Sequence, residues 1–439
     1  MNALARILEW PSEAEDALGL ALWDAVSLAR AMGGVAVGEF QCSGVEIDSR
    51  DVMPGDLFFA LKGEAMDGHR FVPMAFDKGA SAAVVDRAVE GPHILVSDTS
   101  RALELLAAAA RARADARVIG VTGSVGKTGV KEAIFAALDR ASRGKAHRSV
   151  KSYNNHVGVP LSLARMPARS RFGVFEMGMN HAGEIAALTT QVRPHVAVIT
   201  TIAPAHIENL GSEEAIADAK AEIFGGLEPG GTAVIPADSP HFERLRAAAE
   251  AAGARIVSFG RAAHAQVRLL DAVSAPGGGS LVTADLGDRR VCYTVAAPGE
   301  HWVTNSLCVM AAVRAAGGDL GAAGLALAEL AGLKGRGARF ACKTRDGGIA
   351  MVIDESYNAN PASMRATLTQ LGKTPANRRI VVLGAMKELG EHGPAYHAAL
   401  AEPLAASCAD YAILVGDEMQ PLADELGKGA ASALGKALP

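Results

Sequence analysis

The segment Thr122-Gly123-Ser124-Val125-Gly126-Lys127-Thr128 carries the plainest chemistry in the sequence. It follows the apolar run Val118–Val121 and precedes a helical pattern. A strand, a glycine turn, Lys-Thr and a helix make a phosphate loop. Glycines let backbone N–H groups approach phosphate oxygens, and the helix N-terminus adds partial positive charge. In that reading Gly123, Ser124 and Gly126 shape the loop. Lys127 reaches the β- and γ-phosphates, and Thr128 ligates Mg²⁺. The pattern is the short form, because Val121 stands where the longer motif has glycine. The competing reading is a glycine-rich turn that binds nothing.

Two more apolar runs end in groups suited to the same site. Gly173–Phe175 ends at Glu176, and Val196–Ile202 runs out towards His206. In a parallel sheet, ligands bind beyond the carboxyl ends of the strands. A carboxylate and an imidazole there suit Mg²⁺ beside a phosphate loop; alone, each is an ordinary strand-end residue. Ser212–Gly225 reads as a helix with Ser212 as cap and Glu213 and Glu214 facing its dipole. Lys220 falls on its apolar stripe with Ile216, Ala219 and Ile223. A lysine there either snorkels to water or lies buried beside the nucleotide. Further on, Ile349–Ile353 ends in Asp354-Glu355, which fits ribose or metal contacts or a solvated Asx-capped turn.

These groups need a scaffold. Strand-like runs at Asp56–Leu61 and Ala82–Asp86 and turns such as Pro54-Gly55-Asp56 predict a small α/β unit. The alanine-rich Arg101–Ala116 reads as a helix, and a boundary is placed near residue 110. Val118–Thr122, Gly173–Glu176, Val196–Ile202 and Thr232–Ile235 are short continuous apolar runs, as parallel strands covered on both faces should be. Gln266–Val295, interrupted by Gly277-Gly278-Gly279, predicts an antiparallel appendage, and Val303–Ala316 a closing helix. After Gly332–Gly337, the runs Ile349–Ile353, Arg379–Leu383 and Tyr411–Val415 predict a separate Rossmann-like unit. The expected division is 1–110, 111–330 and 331–439, all α/β.

Composition narrows the class. An apolar fraction of 49% with 21% charged residues excludes a disordered chain. A net charge of −5 argues against a dedicated nucleic-acid binder. Cys42, Cys292, Cys308, Cys342 and Cys408 are odd in number and form no CxxC pair, so neither a disulfide framework nor a thiolate zinc site is expected. The early acids of the N-terminus do not read as a secretory signal, and no apolar stretch is long enough to span a membrane. A cytoplasmic protein, monomeric, is expected.

Together the motifs resemble the Mur ligases, ATP-dependent amide-bond-forming enzymes of bacterial cell-wall synthesis. The resemblance runs from about residue 44 to residue 420. It is carried by Asp48-Ser49-Arg50, Lys62-Gly63, Asp67-Gly68-His69 and Thr122–Thr128. Asn154-Asn155 with Gly158-Val159-Pro160, Glu176-Met177-Gly178 with Asn180-His181, Gly183-Glu184 and Ala219-Lys220 continue it. His301–Asn305, Ser356–Pro361 and Glu388-Leu389-Gly390 complete it. The Ser-Tyr-Asn-Ala-Asn-Pro and Glu-Met-Gly-Met-Asn-His runs favour the branch that adds D-Ala-D-Ala.

The resemblance implies three domains: a small UDP-binding α/β domain, a central P-loop domain with a parallel sheet, and a C-terminal Rossmann-like domain. It implies ATP and Mg²⁺, with UDP-N-acetylmuramoyl-tripeptide and D-Ala-D-Ala as substrates. Lys127, Lys220 and His206 would be catalytic, and Thr128, Glu176, His206 and Lys220 would surround the metal. Lys220 matches the lysine that the family carbamylates with CO₂. Asn305 would contact adenine, and Arg336, Asp354 and Glu355 would reach ATP from the third domain. Ser49, Arg50, Asp67, Gly68 and His69 would hold the uridine diphosphate end. Asn154, Asn155, Tyr357, Asn358 and Asn360 would make further substrate contacts.

This chain departs from the family pattern at Gly129, usually Thr or Ser, at Glu355, usually Asp, and at Ala385, usually Asp. It also ends at Pro439, short of an expected last strand. Alternatives are a neighbouring ligase that adds the third amino acid, a P-loop switch or motor, and a nucleotide-binding module without ligase activity.

Overall fold

The computed structural model describes residues 21–63, 66–205, 207–275, 279–330, 332, 334–345 and 347–429. The first sheet has five strands: β1 (Val35–Val37), β2 (Gly44–Glu46), β3 (Asp56–Phe59), β4 (Ala82–Val85) and β5 (His93–Leu95), in the order β1-β5-β4-β3-β2. All neighbours are parallel except β1 and β5. Helix α1 (Thr99–Arg113) follows. Asp98 caps it, accepting from the backbone N–H groups of Ser100 and Arg101.

The second sheet has nine strands. They are β6 (Arg117–Thr122), β7 (Ala146–Arg148), β8 (Phe172–Glu176), β9 (Val196–Ile199), β10 (Thr232–Pro236), β11 (Arg255–Gly260), β12 (Val267–Ser274), β13 (Ser280–Asp285) and β14 (Arg290–Val295). Their order is β14-β13-β12-β11-β10-β9-β6-β8-β7. Strands β7 to β11, with β6, are parallel, and β12 joins them in parallel before β13 and β14 turn antiparallel. Alternate residues of the buried strands feed two cores. Val118, Phe175, Ala197 and Ala233 face one, while Ile119, Val121, Val174, Val198 and Val234 face the other. Continuous apolar runs arise because both faces are covered.

The chain leaves β6 through helix α2 (Lys127–Ser142) to the edge strand β7, returns to β8, then crosses to β9 on the other side of β6. The carboxyl end of β6 is therefore the topological switch point, where α/β sheets open a crevice. Helices α3 (Gly158–Ala164), α4 (Glu213–Ala221) and α5 (Glu300–Ala315) complete this layer. Ser212 caps α4 by accepting from Ala215 N at 3.1 Å, as its sequence predicts.

Strand β9 stops at Ile199 instead of running to Ile202. The reason is local: after Thr200 N, which still donates to Thr122 O, the chain bonds the phosphate loop, through Thr200 Oγ1 to Val125 O and Ser124 N to Thr201 O. His206 lies outside the described residues, as do Gly277, Gly278 and residues 430–439.

The last region contains β15 (Ala338–Lys343), β16 (Ile349–Asp354), helix α6 (Pro361–Lys373), β17 (Ile380–Gly384) and β18 (Tyr411–Val415). Among the described residues, β15 and β16 pair antiparallel, and β17 and β18 pair parallel as a separate sheet. Strands β1, β2, β5, β7, β11 and β15 were not foreseen. β1, β2, β5 and β7 have only three residues each, and β15 sets Phe340, Ala341 and Cys342 among Arg339 and Lys343 and stays largely exposed. Met364, Leu368 and Leu389 of this region join the core on the first face of the central sheet.

Candidate active site

Register brings the distant strand ends level. Val121 pairs with Glu176 on one side of β6, and Thr122 with Ile199 on the other. The phosphate loop is stitched to the segment after β9. Ser124 Oγ donates to Ala203 O at 2.9 Å, and Ala203 N donates back at 3.0 Å. Gly123 has φ +147°, and a Cβ there would lie 2.0 Å from Thr200 Oγ1, so only glycine fits.

Lys127 and Thr128 open α2, whose N-terminal N–H groups face this crevice. Lys127 Nζ donates to Gly123 O at 2.6 Å, folding back over the loop. Thr128 Oγ1 donates to Glu176 Oε2 at 2.8 Å, and Asn154 Nδ2 donates to Glu176 Oε1 at 2.8 Å. Glu176 is wholly buried, so its carboxylate depends on these donors. Thr122 Oγ1 is buried beside them with no hydrogen-bond partner.

Lys220 is 2% exposed, so the pattern's snorkelling alternative does not hold. Burial, reinforced by the charge of Lys127, pushes its pKa well below the ordinary lysine value. Desolvation also lowers the pKa of Lys127, with Glu176 opposing and Arg336 adding to the shift. Two lysines thus lie within electrostatic range of each other at the phosphate loop. The neighbourhood can accept a polyanion that restores their charge.

Oxygen donors from Thr128, Glu176 and the unpartnered Thr122 suit a hard divalent cation. Among the described residues no group of three or more His, Cys, Asp or Glu is placed to hold a metal by itself. That fits a cation held by one carboxylate, a hydroxyl and substrate phosphates.

Asn305, on α5, packs its amide against Gly126. One turn earlier, Trp302 lies over Gly129. A Cβ on Gly129 would meet the indole at 2.8 and 2.9 Å. This is the physical reason for glycine where a hydroxyl residue was expected. The third region contributes Arg336. Its guanidinium stacks 4.1 Å over the Tyr357 ring, and its Nη2 donates to Ser152 Oγ at 3.4 Å.

Other expected site residues are engaged locally. Asp354 accepts from Ser356 Oγ at 2.6 Å and from Gly335 N at 3.0 Å, which holds its pKa low and makes it the cap of a turn. Partial desolvation raises the neighbouring Glu355, against the pull of Arg336. Asn360 caps α6 in a capping box with Ser363, and Asn155 closes the turn that leads into α3, accepting from Gly158 N at 2.9 Å. Asn358 is exposed. In the first region Arg50 pairs with Asp48 at 2.7 Å, and Ser49 Oγ contacts Met74 Sδ at 3.4 Å. His69, which follows Gly68, is buried between Asp67 Oδ1 at 2.7 Å and Asp86 Oδ1 at 3.0 Å. Sequence reasoning gave no role to Thr122 or Trp302, which it quoted only within Thr122–Thr128 and His301–Asn305, and it did not single out Ser149 or Thr200.

The chain was compared with known proteins. The family description "Mur ligase middle domain" matches residues 121–313, "Mur ligase, glutamate ligase domain" matches 338–437, and "Mur ligase family, catalytic domain" matches 41–118. The UDP-N-acetylmuramoyl-tripeptide–D-alanyl-D-alanine ligase of Synechocystis sp. is 36% identical over 394 residues, 87% of this chain and 81% of that protein. The crystal structure of MurF from Acinetobacter baumannii superposes with a TM-score of 0.80 at 31% identity, covering 92% of this chain and 88% of the other. MurF ligase from Thermotoga maritima in complex with ADP gives a TM-score of 0.70 at 26% identity, with 86% of each chain covered.

Proposed function

This chain belongs to the Mur ligase family, and we propose the following chemistry for it. It is an ATP-dependent ligase that joins D-Ala-D-Ala to UDP-N-acetylmuramoyl-tripeptide. The observation that carries the reading is the buried cluster of Lys127, Thr128, Asn154, Glu176 and Lys220 at the switch point of the central sheet.

In the first step a carboxylate oxygen of the tripeptide attacks the γ-phosphorus of ATP. The bond to the β,γ-bridging oxygen breaks, giving an acyl phosphate and ADP. In the second, the amine of D-Ala-D-Ala attacks the acyl carbon and loses a proton, and phosphate leaves as the amide forms. The first step brings two anions together, so cationic side chains and oriented N–H groups must crowd the site. Lys127, recharged by the incoming phosphates, neutralises the transferring group, and the N-terminal amides of α2 hold the phosphates. Arg336 reaches the same phosphates from the third region, which makes closure of that region part of assembling the site. Asn305 reads the base.

Thr128, Glu176 and His206 would hold Mg²⁺, which would supply charge neutralisation for the phosphates. Lys220, whose pKa burial lowers well below the ordinary lysine value, is the amine that would add to CO₂ and lose a proton; the carbamate would turn the side chain into an oxygen donor. Ser49, Arg50 and the Asp67–His69 turn bind the uridine diphosphate end, and Asn155, Tyr357, Asn358 and Asn360 border the peptide. The working division remains residues 1–110, 111–330 and 331–439.

The test measures ADP release from Mg-ATP with UDP-N-acetylmuramoyl-tripeptide, with and without D-Ala-D-Ala, and weighs the product. Release that needs both substrates, with a pentapeptide product, supports the reading. ATP binding with no product under either condition sinks it.

A further inference from the structure

One wholly buried cation has no part in the chemistry above. Lys131 lies on α2, one turn beyond Lys127. A buried ammonium must be hydrogen-bonded. Its Nζ donates to the carbonyls of Ser149 at 2.8 Å and Lys151 at 2.9 Å, and lies 3.0 Å from Glu132 Oε1. Both carbonyls belong to the segment 149–155, between β7 and α3.

That segment touches all three regions of the molecule. Ser149 Oγ accepts from Glu176 N at 3.2 Å, and Asn154 Nδ2 donates to the Glu176 carboxylate. Asn154 O accepts from Gly178 N at 2.8 Å. Lys151 Nζ donates to Asp51 Oδ2 of the first region at 2.8 Å. Ser152 Oγ accepts from Arg336 of the third region. Lys151 itself has φ +53°, a left-handed conformation that side chains with a Cβ disfavour. Such a residue persists where its surroundings over-determine it, and Lys131 grips the carbonyl of that very residue.

We infer that Lys131 is a positioning residue for ligation. It fixes the segment 149–155 so that Asn154 is aimed at Glu176 while Lys151 and Ser152 hold Asp51 and Arg336. It acts through Asn154 and touches no reacting atom. An apolar side chain would fill the same space but leave two carbonyls without a donor. The catalytic consequence rests on the ligase reading; the placement of the segment does not.

The test uses the full chain carrying Lys131→Met, Lys131→Arg, Asn154→Ala, and Lys131→Met with Asn154→Ala. Hydrogen exchange is read by segment, and kcat and KM for ATP are measured. Lys131→Met is expected to lose at least tenfold of amide protection in 149–155 while β6 keeps its own. Its kcat should fall at least tenfold with KM for ATP changed less than threefold. Lys131→Arg, which can still donate to both carbonyls, should recover part of both. The double variant should be no slower than the slower single variant within about twofold, because the two residues act in one chain of contacts. Unchanged protection of 149–155 in a folded Lys131→Met protein, or multiplicative losses in the double, overturns the inference. Should Lys131→Met not fold, Lys131→Arg decides. Native exchange in 149–155 with kcat below a tenth of the parent overturns it, whereas retained protection with retained kcat supports it. Failure of the parent protein to ligate would remove the ligase reading and leave the exchange experiment to judge the positioning.

Discussion

The crevice at β6 and the Asp67–His69 turn both gather carboxylates and cations, but over very different sequence distances. In the turn, Asp67 bonds His69 two residues on, and Asp48 bonds Arg50 likewise, with Asp86 and Arg87 of the next strand end completing the contacts of His69 and Asp67. In the crevice, Glu176 is held by Thr128, 48 residues earlier, and by Asn154, 22 residues earlier. Polar groups that satisfy their neighbours shape a loop and need little from the rest of the fold. Polar groups buried against distant partners exist only because a sheet brings them together, and their desolvation leaves them poised for a charged ligand.

The sharpest way to break this contrast is Lys127→Ala. Ligation measured by ADP release should fall on the order of 10²–10³-fold, as for loss of a group that stabilises transition-state charge. A fall of less than tenfold would make the crevice as dispensable as a turn.

Lys220→Met sharpens the point, because function and stability should move in opposite directions. A lysine with a depressed folded pKa leaves the unfolded chain binding more protons at pH below the ordinary lysine value of 10.5, so stability rises with pH towards that value. The variant should lose ligation, gain stability at pH 7, and show a flatter dependence between pH 7 and 10. Urea unfolding at several pH values checks it.

Gly129→Ser places a Cβ where Trp302 already sits. The expected cost is about 1–3 kcal/mol of stability, relieved by Trp302→Ala in the same chain. An unchanged urea midpoint would show that the indole moves freely.

In the local turn, His69→Ala removes the ring nitrogen that accepts from Asp86 N at 3.1 Å. Leaving that group unpaired should cost about 1–3 kcal/mol, with kcat within about threefold of the parent. A larger loss of kcat than of stability would move His69 into the catalytic set.

Arg50→Ala should change stability least. Arg50 is exposed and holds the Asp48 carboxyl down to about 2 through its guanidinium. The contribution of a depressed carboxyl is present above its unfolded value of 3.8 and is lost as pH falls through about 2. Because the pair is exposed and screened, the parent should exceed the variant at neutral pH by only a small margin, and that margin should vanish as pH falls through about 2; a large gap at neutral pH would break the contrast from the other side.

Sequence by itself fixed what is short-range. The phosphate loop, the cap at Ser212 and the continuous apolar runs of β6, β8, β9 and β10 were legible because each depends on neighbours in the chain or on burial of both strand faces. Residue identity also narrowed the chemistry to phosphates and a hard cation. Sequence did not distinguish Asn154, which reaches Glu176, from Asn155 beside it, which closes the turn before α3. It left Lys220 undecided between solvent and interior. It read Gly129 as a missing hydroxyl when the cause is Trp302, 173 residues away (302 less 129). Those choices belong to the tertiary structure, since only the crossing of the chain at β6 determines which distant side chain excludes water from which polar group.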